Sequence, residues 1–309
     1  MKKLTILDGG MGRELKRIGA PFSQPLWSAQ ALIEAPHYVA QAHQSFIDAG
    51  AEIIIVNSYA CVPFHLGEGL YEQQGKALAE QAAKIAQNTS QKAKHNVLVA
   101  GSLPPVFGSY RADLFEKDRA FDILSDLFHA QDKYVDLWFA ETISSIAEAD
   151  VMINVLQAST KPCYYAFTLS DEIGQSAKLR SGELVTKAIE KILENDAMEN
   201  SVLKNKVDGI FFNCSIPEVI EQAIKDTTTV LANKNKSINI GAFANSFTPI
   251  SASHRANEAV QGSRDLSPEE YLSFAKKWHS LGANIIGGCC GIGPEHIQAL
   301  VKWRNSIYP

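Results

Sequence analysis

The segment APHYVAQAHQSFIDAGAEIIIVN, residues 35–57, contains the two kinds of element that decide the fold. Its first part, Ala35–Asp48, places apolar side chains at i, i+3 and i+4, which is typical of an amphipathic helix. Only three residues, Ala49, Gly50 and Ala51, then precede the mostly apolar run Glu52–Val56. A short apolar run without alternation is typical of a parallel strand that helices cover. The segment therefore predicts a helix that leads directly into a buried parallel strand.

The same alternation continues along the whole chain. The predicted strands are Leu4–Leu7, Glu52–Val56, Val97–Ala100, Val135–Ala140, Cys163–Thr168, Gly209–Phe212, Ile238–Ala244 and Asn284–Ile286. The predicted helices are Ala35–Asp48, Ala77–Gln91, Phe121–Gln131, Ile143–Leu156, Leu184–Leu193, Pro217–Leu231, Pro268–Leu281 and Pro294–Trp303. Pro217, Pro268 and Pro294 each lie where the first turn of a predicted helix begins. Ser215 and Ser267 lie just before two of these turns and are predicted N-caps. Eight repeats predict an α/β fold, a single (β/α)₈ TIM barrel, as one domain over residues 1–309.

The alternative fold is a doubly wound open sheet. Gly9-Gly10-Met11-Gly12 partly matches a phosphate-binding turn, but no acidic residue closes the second strand at the expected place. Long strand-to-helix segments favour the barrel, because barrel enzymes keep their chemistry in such segments. The predicted long loops are Gly9–Glu34, Ser102–Lys117 and Asn245–Leu266.

Charge and hydrophobicity exclude several classes of protein. The net charge is −5 and there is no basic block, since Lys2-Lys3 is too short to count as one, so we expect no nucleic-acid partner. The first apolar stretch ends at Asp8, short of the roughly 7–15 residues of a signal peptide, and no run reaches the ~18 apolar residues of a membrane span. We therefore expect a cytoplasmic protein with no membrane segment.

Five cysteines, two of them adjacent, are the strongest chemical signal. Their odd number suits a reducing compartment, where thiols are free, metal-bound or reactive. Cys289-Cys290 lies among glycines after the eighth predicted strand, and Cys214 closes the sixth. The carboxyl ends of these strands share one rim of a barrel, so three thiolates can converge and leave a fourth tetrahedral zinc position for substrate. The alternative is small cysteines packed in a tight corner, which is how we interpret Cys163, whereas Cys61 is read as a loop residue without an assigned role.

Two acidic residues end predicted strands. Asp8 precedes Gly9-Gly10, whose N–H groups could hold a substrate carboxylate, although Asp-Gly is also ordinary turn chemistry. Glu141 follows four apolar residues and suits an ammonium group, or alternatively a helix N-terminus. Further candidate linings are Asn57, Ser102, Asn245 and the aromatic residues Trp27, Tyr59, Phe107, Tyr110 and Phe247. A structural role is expected for His296.

Several of these motifs together resemble the homocysteine S-methyltransferase family. The resemblance runs in order over essentially the whole chain, and the glycine-flanked cysteine pair together with Asn213-Cys214 is its most specific part. The other matching motifs are Leu7–Leu15, Pro25–Ser28, Ala49–Ile54 and Glu141-Thr142.

The resemblance implies a zinc-dependent barrel enzyme that methylates homocysteine to methionine. It implies zinc ligands at Cys214, Cys289 and Cys290, and an amino-acid site formed by Asp8, Gly10, Met11 and Glu141. The implied donor is a small sulfonium or ammonium compound of the S-methylmethionine, S-adenosylmethionine or betaine type. The segments Gly101–Arg111 and Ala242–Ser246 depart from the pattern typical of S-methylmethionine users, so the donor stays open.

Zinc would deprotonate the substrate thiol, which could then displace the donor's leaving group in line. Three alternatives remain. A lyase or aldolase would need either a strand-end lysine for a Schiff base, which is missing from the predicted strands, or a carboxylate–histidine site for a divalent metal. A thiol methyltransferase could instead take its methyl group from a carrier protein. A non-enzymatic metal or redox sensor could use the adjacent cysteines.

Overall fold

The computed structural model describes residues 3–174, 176–196, 207–250 and 261–308. Within them eight strands form one parallel sheet in the order β1-β8-β7-β6-β5-β4-β3-β2. The strands are β1 Thr5–Ile6, β2 Ile53–Ile55, β3 Leu98–Leu103, β4 Leu137–Ile143, β5 Cys163–Phe167, β6 Val207–Asn213, β7 Asn239–Phe243 and β8 Ile285–Ile286. A parallel bridge between Leu7 and Ile53 brings β1 and β2 together. The sheet is thereby a nearly closed (β/α)₈ barrel, which confirms the predicted fold class.

Helices surround the barrel between successive strands. They are α1 Met11–Arg17, α2 Ser28–Glu34, α3 Pro36–Asp48, α4 Pro63–Leu66, α5 Glu68–Leu70, α6 Lys76–Ser90, α7 Lys117–Gln131, α8 Ile146–Leu156, α9 Val185–Asp196, α10 Pro217–Asn233, α11 Pro268–Ser280 and α12 Pro294–Ile307. One π-helical turn, Tyr71–Gly75, joins α5 to α6. In the part of the chain that is described, no helix is both long enough and apolar enough to cross a membrane.

All eight predicted strands and all eight predicted helices are present, with ends displaced by a few residues. The prediction of a loop over Gly9–Glu34 is wrong, because α1 and α2 lie inside it. Both helices have only seven residues, too short to show a clear 3.6-residue periodicity. The predicted loop Asn245–Leu266 is described except at 251–260, which lie outside the described residues.

One of the two N-cap predictions is confirmed and the other is wrong. Ser267 caps α11 and forms a capping box with Glu270. Ser215 does not cap α10, because Ile216 occupies that position. The Ser215 hydroxyl instead accepts a hydrogen bond from the backbone N–H of Leu169, 2.8 Å away, and thereby joins the ends of β5 and β6.

Aromatic rings fill the inside of the barrel. The Phe139 and Phe211 ring centroids lie 4.9 Å apart, edge to face, and Tyr164 lies 4.9 Å from Phe211. Gly241 makes room for this cluster, since a Cβ atom there would lie 2.0 Å from Cε1 of Phe211. The interior of the barrel is thus a packed core and not a channel.

We expect Gly241→Ala to destabilise the protein by about 1–3 kcal/mol or more, because the added methyl group forces the Phe211 ring out of its packed position. Urea denaturation monitored by circular dichroism measures this. Gly69→Ala is the control, since nothing lies within 4 Å of its added Cβ. Equal stability of the two variants would show that the barrel interior is loosely packed.

Candidate active site

Three cysteine sulfur atoms meet at the carboxyl-terminal rim of the barrel. Cys214 follows β6, Cys289 and Cys290 follow β8, and the three Sγ atoms lie within 4.8 Å of one another. The strand order explains this, because β6 and β8 are separated only by β7. The predicted convergence of these three residues therefore occurs, although 75 positions separate Cys214 from Cys289 in the sequence.

The structure joins Cys214 and Cys289 as a disulfide, with Cα atoms 5.7 Å apart, and leaves Cys290 free. The expectation that these cysteines form no disulfide is wrong for Cys214 and Cys289, because the ends of β6 and β8 bring their side chains together. Zinc–sulfur bonds of about 2.3 Å place tetrahedral ligands about 3.8 Å apart. The spacing of the triad suits such a metal once the disulfide is reduced, since ligands must be thiolates.

The Cys214 backbone is held in a sparsely populated conformation. Its φ angle is +47°, in the left-handed region that residues other than glycine rarely adopt. Its carbonyl oxygen accepts hydrogen bonds from the hydroxyl of Tyr110 at 3.2 Å and that of Thr168 at 3.3 Å. Its amide donates to the carbonyl of Phe243 at 3.3 Å. Neighbouring strand ends therefore determine where this sulfur atom points.

Two buried carboxylates lie at the same rim. The Asp8 carboxylate accepts a hydrogen bond from the Ile55 amide at 2.8 Å, and the Glu141 carboxylate accepts one from the Ser102 hydroxyl at 2.6 Å. Loss of solvent raises the pKa of Asp8 well above its ordinary value, and the Glu141 charge raises it further. Loss of solvent also raises the pKa of Glu141, to about 7. A cation placed between these groups would stabilise both in their charged forms.

A cavity of about 230 Å³ connects the sulfur atoms to the carboxylates. The predicted site residues all line it: Asp8, Gly10, Met11, Glu141, Cys214, Cys289 and Cys290. Among the described residues of its lining there is no lysine or arginine. The lining is mostly apolar, and Asp8 and Glu141 are its acidic side chains.

Gly10 lies against the cysteine pair, since a Cβ atom there would be 2.5 Å from the Cys289 carbonyl oxygen. Its amide donates to the Ile292 carbonyl at 2.9 Å. The idea that this particular N–H holds a substrate carboxylate is therefore wrong, because the loop after β8 already uses it. Gly10 instead allows the β1 and β8 rims to approach closely.

Of the five aromatic candidates, four line the cavity: Trp27, Tyr59, Tyr110 and Phe247. Phe107 does not line it and packs edge to face against Phe115. Asn57 also lines the cavity, whereas Ser102 acts through its hydrogen bond to Glu141. Asn245 is buried, and its side-chain oxygen accepts a hydrogen bond from the Phe247 amide.

The cavity also contains residues that the sequence patterns did not suggest. His65 lines it from α4, where its Nδ1 lies 3.3 Å from the Pro25 carbonyl, and burial lowers its pKa to about 4. This histidine is therefore neutral at physiological pH. Ser109 hydrogen-bonds the Tyr59 hydroxyl at 2.6 Å. Neither residue belongs to a motif with ligand or catalytic spacing, so only the folded chain reveals them.

The remaining cysteines and His296 do not contribute to the cavity. Cys61 and Cys163 are buried, which agrees with the core interpretation of Cys163 and gives Cys61 a packing position. His296 accepts a hydrogen bond from the Gly293 amide through Nδ1, and its Nε2 lies 2.7 Å from the Leu266 carbonyl. Its expected structural role is confirmed.

A parallel barrel with its large cavity at the carboxyl ends of the strands has the architecture of a barrel enzyme. The sequence profile of the homocysteine S-methyltransferase family matches residues 5–303. Because this match covers nearly all of the sequence, the chain belongs to that family and is a methyltransferase enzyme. The family and enzyme predictions are confirmed.

Individual relatives match this chain over most of their lengths. The selenocysteine methyltransferase of Astragalus bisulcatus is 28% identical, with 98% of this chain and 93% of the relative covered. Homocysteine S-methyltransferase 1 of Arabidopsis thaliana is 28% identical, with 96% and 92% covered. The metallated form of the homocysteine methyltransferase MmuM from Escherichia coli superposes with a TM-score of 0.75 at 25% identity, covering 98% of this chain and 96% of that structure.

Substitution of Ser102 by Ala should raise the pKa of Glu141 above its value of about 7 by roughly one unit, because the hydroxyl bond stabilises the ionised carboxylate. Infrared difference spectroscopy of the protonated carboxyl band against pH measures this. Ser159→Ala is the control, because the buried Ser159 hydroxyl accepts a hydrogen bond from the Lys161 amide and does not contact Glu141. An unchanged Glu141 titration in Ser102→Ala would contradict the hydrogen bond.

Proposed function

We propose that residues 1–309 act as one homocysteine-binding barrel domain that transfers a methyl group from a small cationic donor to homocysteine, with zinc as cofactor. The observation that carries this proposal is the meeting of three cysteine sulfur atoms and two buried carboxylates in one cavity. A reducing compartment such as the cytoplasm suits it, because all three thiols must be reduced to bind metal.

Cys214, Cys289 and Cys290 would hold the zinc ion. When bound, it would act as a Lewis acid that keeps a substrate thiol deprotonated at neutral pH. The chain's own contribution to this site is the rigid placement of the three sulfur atoms. Burial raises the pKa of the Cys290 thiol above its usual range, so this residue by itself favours the uncharged thiol. A divalent cation would offset that preference.

The carboxylates and the β1 rim would bind the amino-acid part of homocysteine. Glu141 and Asp8 are both buried and of like charge, so the substrate ammonium group would stabilise their ionised forms. Met11 and Gly10 line the wall between Asp8 and the cysteine pair. In this arrangement the substrate side chain points from the carboxylates toward the sulfur cluster.

The donor side would be the remaining wall, which carries Tyr110 and Phe247 from the segments after β3 and β7. A sulfonium or quaternary ammonium group is attracted to aromatic faces, and the described lining presents no cationic side chain to repel it. The methyl group would then move in line from donor to acceptor sulfur, and a neutral leaving group would depart. Alignment and exclusion of water are the chain's share of the catalysis.

Purified protein kept under reducing conditions should contain one zinc ion per chain and form methionine from homocysteine with at least one of the three candidate donors, S-methylmethionine, S-adenosylmethionine or betaine. Cys214→Ser and Cys290→Ser should each lose both the metal and activity, because two remaining cysteines do not complete the site. Elemental analysis and a donor screen with betaine and S-adenosylmethionine measure this. Cys61→Ser is the control, since Cys61 is buried outside the triad. Full activity of metal-free Cys290→Ser would reject the proposed zinc role.

The homocysteine KM should depend on the protonation of Glu141. As the pH falls through about 7, this carboxylate gains a proton and loses its charge for the substrate ammonium group, so KM rises; at higher pH the charge and the affinity return. Glu141→Gln should raise KM about 10–100-fold and flatten this pH dependence, as expected for a lost charged contact. Steady-state kinetics from pH 6 to 8.5 (an assay range of about 2.5 units) tests the change.

Glu148→Gln is a matched control for Glu141→Gln. Burial also raises the pKa of Glu148 to about 7, but its carboxylate accepts a hydrogen bond from the Ser144 amide and lies outside the large cavity. The control should leave the homocysteine KM and its pH dependence within about twofold, the range of substitutions remote from a site. A pH profile that changes equally in both variants would contradict the assignment of the ammonium group to Glu141.

A further inference from the structure

A buried ion pair lies behind the donor-side wall of the cavity. Nη2 of Arg180 is 3.0 Å from Oδ2 of Asp171, and the two side chains are only 7% and 3% exposed. An antiparallel bridge between Leu169 and Leu179, in the segment after β5, brings the two residues together. Burying two charges costs solvation that the ion pair alone often fails to recover. Further hydrogen bonds are therefore needed to offset the loss of solvation of Arg180 and Asp171.

The Asp171 carboxylate supplies contacts to two other rim segments. Its Oδ2 accepts a hydrogen bond from the Ile250 amide at 2.6 Å, and its Oδ1 accepts one from the Ile216 amide at 3.4 Å. Nη1 of Arg180 donates to the Ile250 carbonyl at 3.3 Å. The pair therefore connects the segments that follow β5, β6 and β7, and its β6 contact lies two residues after Cys214.

Arg180 also stacks on Tyr110, a residue of the cavity wall. The guanidinium carbon lies 4.8 Å from the centroid of the Tyr110 ring, which is cation–π distance. Tyr110 has a φ angle of +68°, so its backbone needs support from its surroundings. Its hydroxyl donates to the Cys214 carbonyl at 3.2 Å. One arginine thus supports the aromatic wall and, through Tyr110, the backbone of a cysteine of the triad.

We propose that Arg180 and Asp171 form a positioning pair that prepares the donor-side wall for a cationic methyl donor; this inference rests on the proposed function. Neither residue is part of the described cavity lining, so both act through Tyr110. Arg180 fixes the ring, and Asp171 neutralises the guanidinium behind it. Without Asp171, an uncompensated positive charge beyond Tyr110 would repel a sulfonium or quaternary ammonium group.

Two ligands of similar shape but different charge can test this effect of Asp171. S-Methylmethionine carries a sulfonium cation, whereas methionine has a neutral thioether at the same place. Asp171→Asn should weaken calorimetric binding of S-methylmethionine about 10–100-fold and binding of methionine by less than about threefold, because only the sulfonium meets the unbalanced charge. In turnover the S-methylmethionine KM should rise similarly, with the homocysteine KM within about threefold.

Removing both charges tests whether the residues act as a unit. The double variant Arg180→Gln/Asp171→Asn should recover part of the affinity for S-methylmethionine that Asp171→Asn loses, since no unpaired buried charge remains. Arg180→Lys keeps the charge balance but loses the planar stack on Tyr110, so it should lower kcat more than it changes S-methylmethionine affinity.

Arg264→Gln is the matched control. Arg264 lies in the segment after β7 and forms an arginine–carboxylate pair with Glu218, through hydrogen bonds of 2.6 and 2.9 Å, but this pair is partly exposed and does not contact Tyr110. Its substitution should leave the affinity for S-methylmethionine within about twofold. Melting temperatures of all variants identify any that fail to fold. If Asp171→Asn does not fold, the Arg180→Lys and double variants decide the question.

Equal weakening of S-methylmethionine and methionine binding, or an effect of Arg264→Gln as large as that of Asp171→Asn, would overturn the positioning pair. Wild-type protein that binds S-methylmethionine but forms no methionine from any of the three candidate donors would overturn the proposed function, and the dissociation constants would still decide the role of the pair. Wild-type protein that binds neither S-methylmethionine, S-adenosylmethionine nor betaine would overturn both.

Discussion

Parallel pairing of eight strands around a nearly closed barrel is the constraint on which the rest of the structure depends. In such a barrel all strands run in the same direction, so their carboxyl ends meet at one rim. Residues as distant as Asp8, Glu141 and Cys214 therefore share one cavity. The aromatic cluster around Phe211 fills the barrel beneath that rim and gives the site a rigid base. The helix-to-strand links at the opposite end of the barrel are short. The long strand-to-helix segments therefore lie at the rim that carries the cavity.

Burial gives the site its electrostatic character. Loss of solvent raises the pKa of Asp8, Glu141 and the Cys290 thiol, so burial disfavours the charged form of each of these groups. The described lining supplies no lysine or arginine to compensate. Cations from outside the chain, namely a metal ion and the ammonium group of an amino acid, are the natural partners of such a site. The buried Arg180 is neutralised by Asp171 and does not alter this balance.

The periodic parts of the fold were predictable from the sequence. Glu52–Val56 and Pro217–Leu231 show continuous or helical apolar patterns, and the corresponding β2 and α10 are present. The seven-residue helices α1 and α2 were not predicted, because two turns contain too few apolar positions to establish a period. Ser267 caps its helix as its local sequence indicates, whereas Ser215 bonds to Leu169 across strands. Local patterns fail where a side chain finds a better partner far away in the chain.

The sequence by itself determined the alternation of strands and helices, the cysteine triad and the two strand-end acids, because these are matters of residue type and spacing. Only the tertiary structure decided that Cys214 and Cys289 touch, that the Gly10 amide is already bonded, and that His65 enters the cavity. It also decided that Arg180 lies behind Tyr110. The physical reason is that spacing along a chain specifies local backbone periodicity, whereas distances between strand ends and loss of solvent arise only when the barrel closes.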